Sequence, residues 1–271
     1  MKVLILYYSG TGNTKFACEV TRLAIERAGH DVTMTTYARA GDVRLEDFDL
    51  YCFAAPVYEW APARNVERFV RSMPPLEGRR AFIVTSSAGA TGQATPLFAR
   101  MLEDRGLTVL GDHNLICPDS WGGTRRWSAP HDAETPTPES VRELAEFADS
   151  MLEHACAIED GRAVSLPAYR VLPTGLFFLS RLTRVPGRWP RLKMGRKRVD
   201  ESACTRCGVC VKNCPSGAIA LDLYPAFGRG CIACWRCINT CPVDCITTII
   251  DSDTHYKGIA GRERLLEDAG L

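Results

Sequence analysis

The sequence predicts an α/β protein in two parts: a doubly wound parallel sheet of five strands, followed by a small α+β domain built around cysteines. Two observations predict this architecture. In the first 160 residues, apolar runs of strand length alternate with segments of helical periodicity. Between residues 204 and 246, eight cysteines form two runs with the same spacing. The length of 271 residues also favours two domains.

Five segments have the apolar, β-rich composition of buried strands. They are residues 3–8, 31–36, 48–55, 81–86 and 107–116. Helical periodicity follows in residues 16–28, 62–73, 93–105 and 138–158, with Pro62 and Pro138 opening their helices. Because crossovers between parallel strands are right-handed, ligands of such a sheet bind at the carboxyl ends of its strands. We therefore expect the loops at that edge to form a site.

The first loop at this edge is rich in hydroxyl groups and glycines. Its residues are Ser9, Gly10, Thr11, Gly12, Asn13 and Thr14, and they join the first strand to the first helix. Backbone N–H groups at a helix N-terminus attract anions, so the loop predicts a phosphate cradle. It lacks the lysine of a Walker loop and the glycine spacing of a dinucleotide fold. The alternative is an N-terminal turn that binds no ligand.

Two further loops follow the third and fourth strands and are expected at the same edge. The second loop contributes Pro56, Val57, Tyr58, Glu59 and Trp60. The third contributes Ser87, Ala88, Gly89, Ala90 and Gly92. We expect the three loops to converge on one ligand, because the strands that precede them are parallel.

Residues 1–155 resemble a flavodoxin, chiefly through the S-x-T-G-x-T pattern of residues 9–14 after the first strand. The resemblance implies that Ser9, Thr11, Gly12, Asn13 and Thr14 hold the phosphate of FMN. It also implies that the second and third loops bracket the isoalloxazine ring. Either Tyr58 or Trp60 stacks on the ring, or both only pack against protein. Gly89 and Gly92 suit a loop that needs conformational freedom beside a flat ring.

The cysteines form two C-x2-C-x2-C-x3-C-P runs, which is the bacterial iron–sulfur signature. In such runs three thiolates hold one [4Fe–4S] cluster and the fourth reaches the other cluster. Superposing the runs gives a repeat of 27 residues that pairs Cys204 with Cys231 and Ala218 with Cys245. A zinc site is the competing interpretation, because C-x2-C pairs also bind zinc.

Residues 198–250 resemble the two-cluster bacterial ferredoxins. The resemblance assigns one cluster to Cys204, Cys207, Cys210 and Cys241. It assigns the other cluster to Cys231, Cys234, Cys237 and Cys214. Because Cys245 stands where the first half has an alanine, we expect it to fill a small packing position and not to be a ninth ligand.

The segments outside these two regions are less informative. Residues 1–160 form the first predicted domain, 161–197 a basic linker, 198–250 the cluster domain and 251–271 a tail. Residues 161–199 carry ten Lys and Arg and no Asp or Glu. The apolar stretch 171–179 is too short to span a bilayer. Peripheral membrane contact through residues 171–198, docking of an acidic partner and packing between the domains are the alternatives, and we favour packing.

Two more segments carry predictions. Residues 121–127 form either a lid or partner surface at the ligand edge or a simple surface excursion. In the tail, Leu265 and Leu266 are expected to anchor a short helix on the cluster domain. The chain starts without a signal-peptide pattern, so we expect a cytoplasmic protein under reducing, oxygen-poor conditions. Its 46% hydrophobic content and net charge of +1 fit a globular protein and exclude disordered and fibrous classes.

Together the two parts resemble flavodoxin–ferredoxin fusion proteins of anaerobic microbes. The resemblance implies electron transfer, with FMN and two [4Fe–4S] clusters as cofactors and redox proteins such as a ferredoxin, dehydrogenase or reductase as partners. No nucleic acid is expected. The alternative function is an FMN-dependent reductase of a small molecule, a quinone or a flavin, fed by the clusters. The absence of a recognisable acid–base group favours the carrier.

Overall fold

The structure, a computed structural model, describes residues 1–121, 135–171, 194–250 and 255–271. The chain divides into two compact units. The first comprises Met1–Cys117, Glu134–Leu172 and Ile259–Leu271. The second comprises Pro118–Ala133 and Pro173–Gly258. The boundary near residue 117 and the return of the last residues to the first unit were not expected from the sequence.

The first unit is built on a sheet of five parallel strands, as predicted. They are β1 Lys2–Tyr7, β2 Asp31–Thr36, β3 Leu50–Tyr58, β5 Arg80–Ser87 and β6 Thr108–Ile116. Their order in the sheet is β2-β1-β3-β5-β6. The two-residue strand β4, Ala61–Pro62, pairs antiparallel with the end of β3. Pro62 was expected to open a helix, but that helix begins at Arg64, because Pro62 is held in this short pairing.

Both faces of the sheet are covered, which explains why its strands are continuously apolar. Along β1, Val3 and Ile5 join a core on one face, while Leu4 and Leu6 join a second core on the other face. Alternate side chains of a strand point to opposite faces, so a strand between two helical layers needs apolar residues at every position. The sheet is therefore doubly wound.

Four helices cover these faces. They are α1 Asn13–Arg27, α2 Arg64–Ser72, α3 Ala94–Glu103 and α4 Pro138–Glu159. Helices α1 and α4 contribute to the first core, and α2 and α3 contribute to the second. The start of α4 is fixed by a capping box, in which Thr137 Oγ1 accepts from the Ser140 amide at 3.1 Å and Ser140 Oγ accepts from the Thr137 amide at 3.0 Å.

The beginning of the predicted linker also belongs to the first unit. Tyr169 packs on the second core, and its hydroxyl donates to Asp112 Oδ1 at 2.9 Å. Burial, together with the Asp112 carboxylate, raises the pKa of Tyr169 well above its usual value. The chain from residue 161 to 171 is therefore attached to the sheet domain through Tyr169.

The last helix of the chain corrects one prediction. Leu265 and Leu266 lie in Arg262–Asp268, and they pack on the core formed by α1 and α4. Arg142 donates to the carbonyl oxygen of Asp268 at 3.3 Å. The expectation that this pair anchors the tail on the cluster domain is wrong: apolar residues dock wherever a complementary apolar surface lies, and here that surface is on the first unit.

The second unit repeats its backbone as its sequence repeats. Its elements are β7 Lys197–Val199, α5 Val209–Lys212, β8 Ile219–Leu221, β9 Pro225–Phe227, α6 Arg236–Asn239 and β10 Ile246–Thr248. The helix of the tail, Arg262–Asp268, is α7. Strand β7 pairs antiparallel with β10, and β8 pairs antiparallel with β9.

Left-handed backbone positions recur at the 27-residue interval. Arg206 and Ala233 have φ of 57° and 55°, and Gly208 and Trp235 have φ of 72° and 58°. Gly217 and Asp244 follow with φ of 60° and 51°. Since non-glycine residues adopt this region only when their surroundings impose it, the second half of the repeat follows the same path as the first despite its different side chains.

Residues just after β6 belong to the second unit. Trp121 packs on its core, and the Ser120 carbonyl accepts from Asn239 Nδ2 at 2.8 Å. Asn239 is buried, and its Oδ1 accepts from the Tyr256 amide at 3.1 Å. One side-chain amide in α6 thus fixes two segments that are distant in sequence.

Two predictions fall largely on residues outside the described ranges. They are the lid or partner surface at residues 121–127, of which Trp121 is described, and the apolar stretch 171–179, of which residue 171 is described. Among the described residues, no helix combines the length and the apolar character needed to cross a bilayer.

Candidate functional site

The three predicted loops lie at one edge of the sheet. They follow β1, β3 and β5, which are adjacent parallel strands. The register pairs Tyr7 with Ala54 and Pro56 with Ser86, so the strand ends are level with each other. The structure therefore brings together the residues that the sequence assigned to one ligand.

The first loop turns directly into α1. Gly12 is the N-cap of this 15-residue helix and has φ of 110°, a conformation that only glycine adopts readily. Its amide donates to Ser9 Oγ at 3.0 Å, and its carbonyl accepts from the Phe16 amide at 2.9 Å. The loop is thereby folded over the positive end of the helix, where an anion is stabilised.

Thr14 ties this loop to the strand that carries the third loop. Its hydroxyl lies 2.7 Å from the hydroxyl of Ser86, and both groups are buried. A buried hydroxyl pair of this kind is costly to break, because the remaining partner is left without a hydrogen bond. Thr14 thus connects the start of α1 with the end of β5, and Ser86 is a residue that the prediction did not include.

The second and third loops meet at Trp60. Glu59 and Trp60 both have left-handed backbone, with φ of 52° and 60°. The Trp60 side chain lies against Gly92, where an added Cβ would come within 2.7 Å of Trp60 Cδ1. Gly92 itself has φ of 57°, so it is required both by its backbone and by the indole. Trp60 remains 43% exposed, which leaves ring surface accessible to a ligand.

The remaining loop residues are more open. Ser87 Oγ donates to the Gly89 carbonyl at 2.5 Å and accepts from the Gly89 amide at 3.3 Å, so it closes a small turn. A Cβ at Gly89 would meet no atom within 4 Å. The Tyr58 ring contacts Tyr8 edge to face, with 6.5 Å between the ring centroids. Tyr8 follows β1, so this contact links the first and second loops.

In the second unit, four cysteines from both halves of the repeat line one cavity. They are Cys214, Cys231, Cys234 and Cys237, and the cavity measures about 330 Å³ including the solvent at its mouth. This is the set that the ferredoxin resemblance assigned to one cluster, with Cys214 contributed by the opposite half. Lys197 and Trp235 line the same cavity.

The other four predicted ligands also come together across the halves. Cys210 is close enough to Cys207 and Cys241 for their charges to raise its pKa, after the larger effect of burial. Cys241 Sγ lies 3.5 Å from the sulfur of Cys245. Burial first, and then Cys241 and Cys204, raise the pKa of Cys245 to about 12. Cys245 is therefore in contact with the predicted ligands, beyond the packing role expected for it.

The cysteine thiols differ in their surroundings. Burial raises the pKa of Cys237 far above its usual value, against the opposing effect of the Lys197 ammonium. The Val209 amide, followed by Thr205, lowers the pKa of the exposed Cys207. Because a metal ligand must be a thiolate, binding of a metal at Cys237 releases a proton.

Several donors in the second unit face the cysteine sulfurs and fit an iron–sulfur cluster. The Ala218 amide donates to Cys214 Sγ at 3.2 Å, and the Ala233 amide donates to Cys231 Sγ at 3.4 Å. Trp235 is 2% exposed, and its indole Nε1–H has no hydrogen-bond partner among the described residues. An electron-rich group in the cavity that Trp235 lines would supply the missing acceptor.

No three His, Cys, Asp or Glu side chains of the described residues converge as ligands of a single metal ion. A [4Fe–4S] cluster makes a different demand, because each of its four thiolates binds a different iron atom. Four cysteines spread around one cavity satisfy that demand, whereas a zinc ion needs its four ligands around a single point.

A flavodoxin from Megasphaera elsdenii is 30% identical to this chain over 112 residues. The match covers 40% of this chain and 82% of that flavodoxin. The chain belongs to the flavodoxin family. The family extends over its first unit, where the sheet and the three loops lie.

The second unit matches a different model, the 4Fe-4S binding domain, over residues 197–220. This match favours iron–sulfur over zinc at the first cysteine run, Cys204 to Cys214. The chain is accordingly an electron-transfer flavoprotein with an iron–sulfur domain.

Two solved flavodoxin structures are also similar to part of this chain. An archaeal flavodoxin is 20% identical and has a TM-score of 0.43, covering 58% of this chain and 99% of its own. The two-electron reduced Megasphaera elsdenii flavodoxin is 24% identical and has a TM-score of 0.42, covering 54% and 97%.

Three residues near the candidate sites were missed by the sequence reasoning. Ser86 ends the fourth predicted strand and begins the third loop, but it was not assigned to the ligand, although a hydroxyl at the carboxyl end of a parallel strand is a usable signal. Lys197 was counted only as part of a basic linker. Trp235 lies between two cysteines of a run, and its place opposite Gly208 in the repeat indicates an unusual backbone.

Proposed function

We propose that this flavodoxin relays electrons between an FMN and two [4Fe–4S] clusters, and through them between redox partner proteins. Bound FMN exchanges two electrons and each cluster exchanges one, so the pair connects two-electron and one-electron chemistry. The cavity that collects Cys214 with Cys231, Cys234 and Cys237 is the observation that carries the proposal. A fourth thiolate from the opposite half is what the two-cluster arrangement requires.

The residues of the first unit support binding of FMN in three ways. Ser9 to Thr14 present hydroxyls and amides at the positive end of α1, which suits a phosphate without lysine. The exposed indole of Trp60 offers an aromatic surface for a flat ring. The third loop closes the site from β5, and Gly92 allows Trp60 to lie close to it.

The residues of the second unit support two clusters by their spacing and by their donors. We assign Cys204, Cys207, Cys210 and Cys241 to one cluster, and Cys231, Cys234, Cys237 and Cys214 to the other. Amide donors on Cys214 and Cys231 stabilise thiolate charge, and such bonds tune the potential of a cluster. We assign the FMN to the first unit and the two clusters to the second unit.

Cofactor analysis tests the composition of the relay. Anaerobically purified protein is expected to hold about eight iron, about eight sulfide and one FMN per chain. Zinc in place of iron, or about four iron in a fully loaded preparation, would contradict the two-cluster assignment.

Stopped-flow reduction tests the relay itself. The holoprotein is mixed anaerobically with a reduced ferredoxin, and the flavin and cluster absorption bands are followed separately. Both bands are expected to bleach, one after the other, with no small-molecule acceptor present. Rapid turnover with a quinone or a free flavin, without electron transfer to any protein acceptor, would replace the carrier by a reductase.

A further inference from the structure

The two predicted cluster sites share a backbone but not their charged neighbours. The left-handed positions recur every 27 residues, so the loops around the two sets of cysteines follow the same path. Among the described residues, the side chains next to Cys231 and Cys241 differ, being an ammonium and a thiol. The site lined by Cys214, Cys231, Cys234 and Cys237 is approached by an ammonium group, that of Lys197.

Lys197 Nζ lies 3.1 Å from Cys231 Sγ and donates a hydrogen bond to it. Lys197 stands on β7, is half-buried and lines the four-cysteine cavity. Its ammonium also lies 5.3 Å from the centroid of the Phe227 ring. An aromatic face on one side and a sulfur on the other hold the cation at the cavity.

In the site of Cys204, Cys207, Cys210 and Cys241, the donor beside a ligand is a thiol. There the Cys245 sulfur lies 3.5 Å from Cys241 Sγ. A thiol is a weak hydrogen-bond donor and carries no charge, whereas a hydrogen bond from an ammonium is roughly twice as strong as a neutral one. Lys257 donates to the Cys241 carbonyl at 3.2 Å, but its charge is paired with Asp244.

We infer that Lys197 raises the reduction potential of the cluster that it contacts above that of the other cluster. This is the cluster held by Cys231, Cys234, Cys237 and Cys214. At equilibrium, an electron that enters the cluster domain therefore resides on it. The inference rests on the proposed function, since it needs both clusters. Reduction adds one electron and one negative charge at the cluster, and the neighbouring ammonium stabilises that added charge.

The size of the effect follows from burial. A charge in contact with a partly buried site acts through a lower effective dielectric constant than one in water, so its interaction with an added electron is large. A structural role for Lys197, in which its stem only packs on Phe227, would leave the potential unchanged once the fold is intact. The reduction potential therefore separates the two roles.

The test uses the anaerobic holoprotein in a potentiometric titration followed by EPR. In the unsubstituted protein, two reduction steps are expected at different potentials. Lys197→Gln is expected to lower the reduction potential of the upper step by about 59 mV. For a one-electron couple this equals a tenfold change in the ratio of reduced to oxidised cluster. Lys197→Arg keeps the charge and is expected to keep most of the potential.

Two further variants complete the design. Arg198→Gln removes the same charge from the exposed neighbour on β7 and is expected to move neither step. Lys197→Met keeps the aliphatic stem on Phe227 and is expected to lower the upper step as Lys197→Gln does.

A shift of both steps together, or none in either Lys197 variant, would overturn the inference. Iron content is measured in every sample: about four iron in the unsubstituted protein would overturn the two-cluster function, whereas about eight iron with unmoved steps would overturn the role of Lys197 alone.

Discussion

The indole of Trp60 occupies the space that a side chain at Gly92 would need, since a Cβ there would lie 2.7 Å from Trp60 Cδ1. We predict that Gly92→Ala displaces Trp60, distorts both ring loops and lowers FMN affinity at least tenfold. The left-handed backbone adds a strain of about 1–2 kcal/mol. Fluorescence titration of the FMN-free protein with FMN measures the loss of affinity.

Gly29→Ala is the matched control for this change. Gly29 has φ of 83°, but no atom lies within 4 Å of a Cβ at that position. It therefore carries the backbone strain without the contact, and it lies at the end of α1 away from the loops. FMN affinity should be unchanged in Gly29→Ala. Equal losses in both variants would mean that strain alone, and not the Trp60 contact, controls FMN binding.

The hydrogen bond between Thr14 and Ser86 gives a second prediction. Thr14→Val keeps the shape of the side chain but leaves the buried Ser86 hydroxyl unpaired, at a cost of about 1–3 kcal/mol. Because Thr14 is the last residue of the phosphate loop and lies in the first turn of α1, we expect weaker FMN retention with iron content unchanged. Urea unfolding and FMN release on dilution measure the two effects. In a double-mutant cycle with Ser86→Ala, the two changes should be strongly non-additive.

Thr21→Val controls for the loss of a buried hydroxyl in the same helix. Thr21 is fully buried, and its hydroxyl donates to the Ala17 carbonyl at 2.9 Å within α1. FMN retention that falls as far in Thr21→Val as in Thr14→Val would show that general loosening of α1, and not the link to Ser86, is responsible.

The sheet of the first unit could be predicted because burial on both faces leaves a recognisable pattern in the sequence. Each strand needs apolar residues at every position, as in residues 3–6, and this pattern differs from that of an amphipathic helix. The pairing of Ala61 with Tyr58 left no such signal, because a two-residue strand has no periodicity. The predicted start of the second helix, Pro62, was therefore two residues too early.

Long-range choices could not be predicted from local pattern. Leu265 and Leu266 form an apolar pair that fits any complementary surface, and the sequence does not say which unit supplies it. For the cysteines, by contrast, the resemblance to two-cluster ferredoxins assigned Cys214 to the same cluster as Cys231, Cys234 and Cys237. In the structure these four residues line one cavity. The role of Lys197 could not be predicted, because in the sequence it is one of several neighbouring basic residues. The contact between its ammonium and a sulfur depends on the pairing of β7 with β10.

The docking of α7 on the first unit gives a third prediction. Replacing Leu265 and Leu266 by alanine removes apolar side chains that are partly buried on the α1 and α4 core. We expect a loss of roughly 1–3 kcal/mol in the stability of the flavin domain. Thermal unfolding followed by FMN release measures it, while iron content should stay unchanged.

Arg264→Ala is the control, since this side chain is 85% exposed on the same helix. It should change the unfolding temperature little, because surface substitutions are usually within about 0.5 kcal/mol. Loss of iron with unchanged FMN release in the leucine variant would contradict the docking seen here and would return α7 to the cluster domain.

The crossing of Cys214 between the halves gives the last prediction. Cys214→Ala removes one thiolate from the cavity of Cys231, Cys234 and Cys237, so that cluster should be lost and about four iron should remain. Cys245→Ala removes a thiol that is not assigned as a ligand, and about eight iron should remain. Iron analysis and EPR of the reduced proteins measure both.

The identity of the surviving cluster in Cys214→Ala can be established with Lys197. If Cys214 serves the cavity that Lys197 lines, adding Lys197→Gln to Cys214→Ala should leave the potential of the remaining cluster unchanged, because the cluster touched by the ammonium is gone. If the remaining cluster still responds to Lys197→Gln, then Cys214 binds within its own half and the crossed assignment is wrong. The potential thus reports which thiolates share a cluster, which iron content alone does not distinguish.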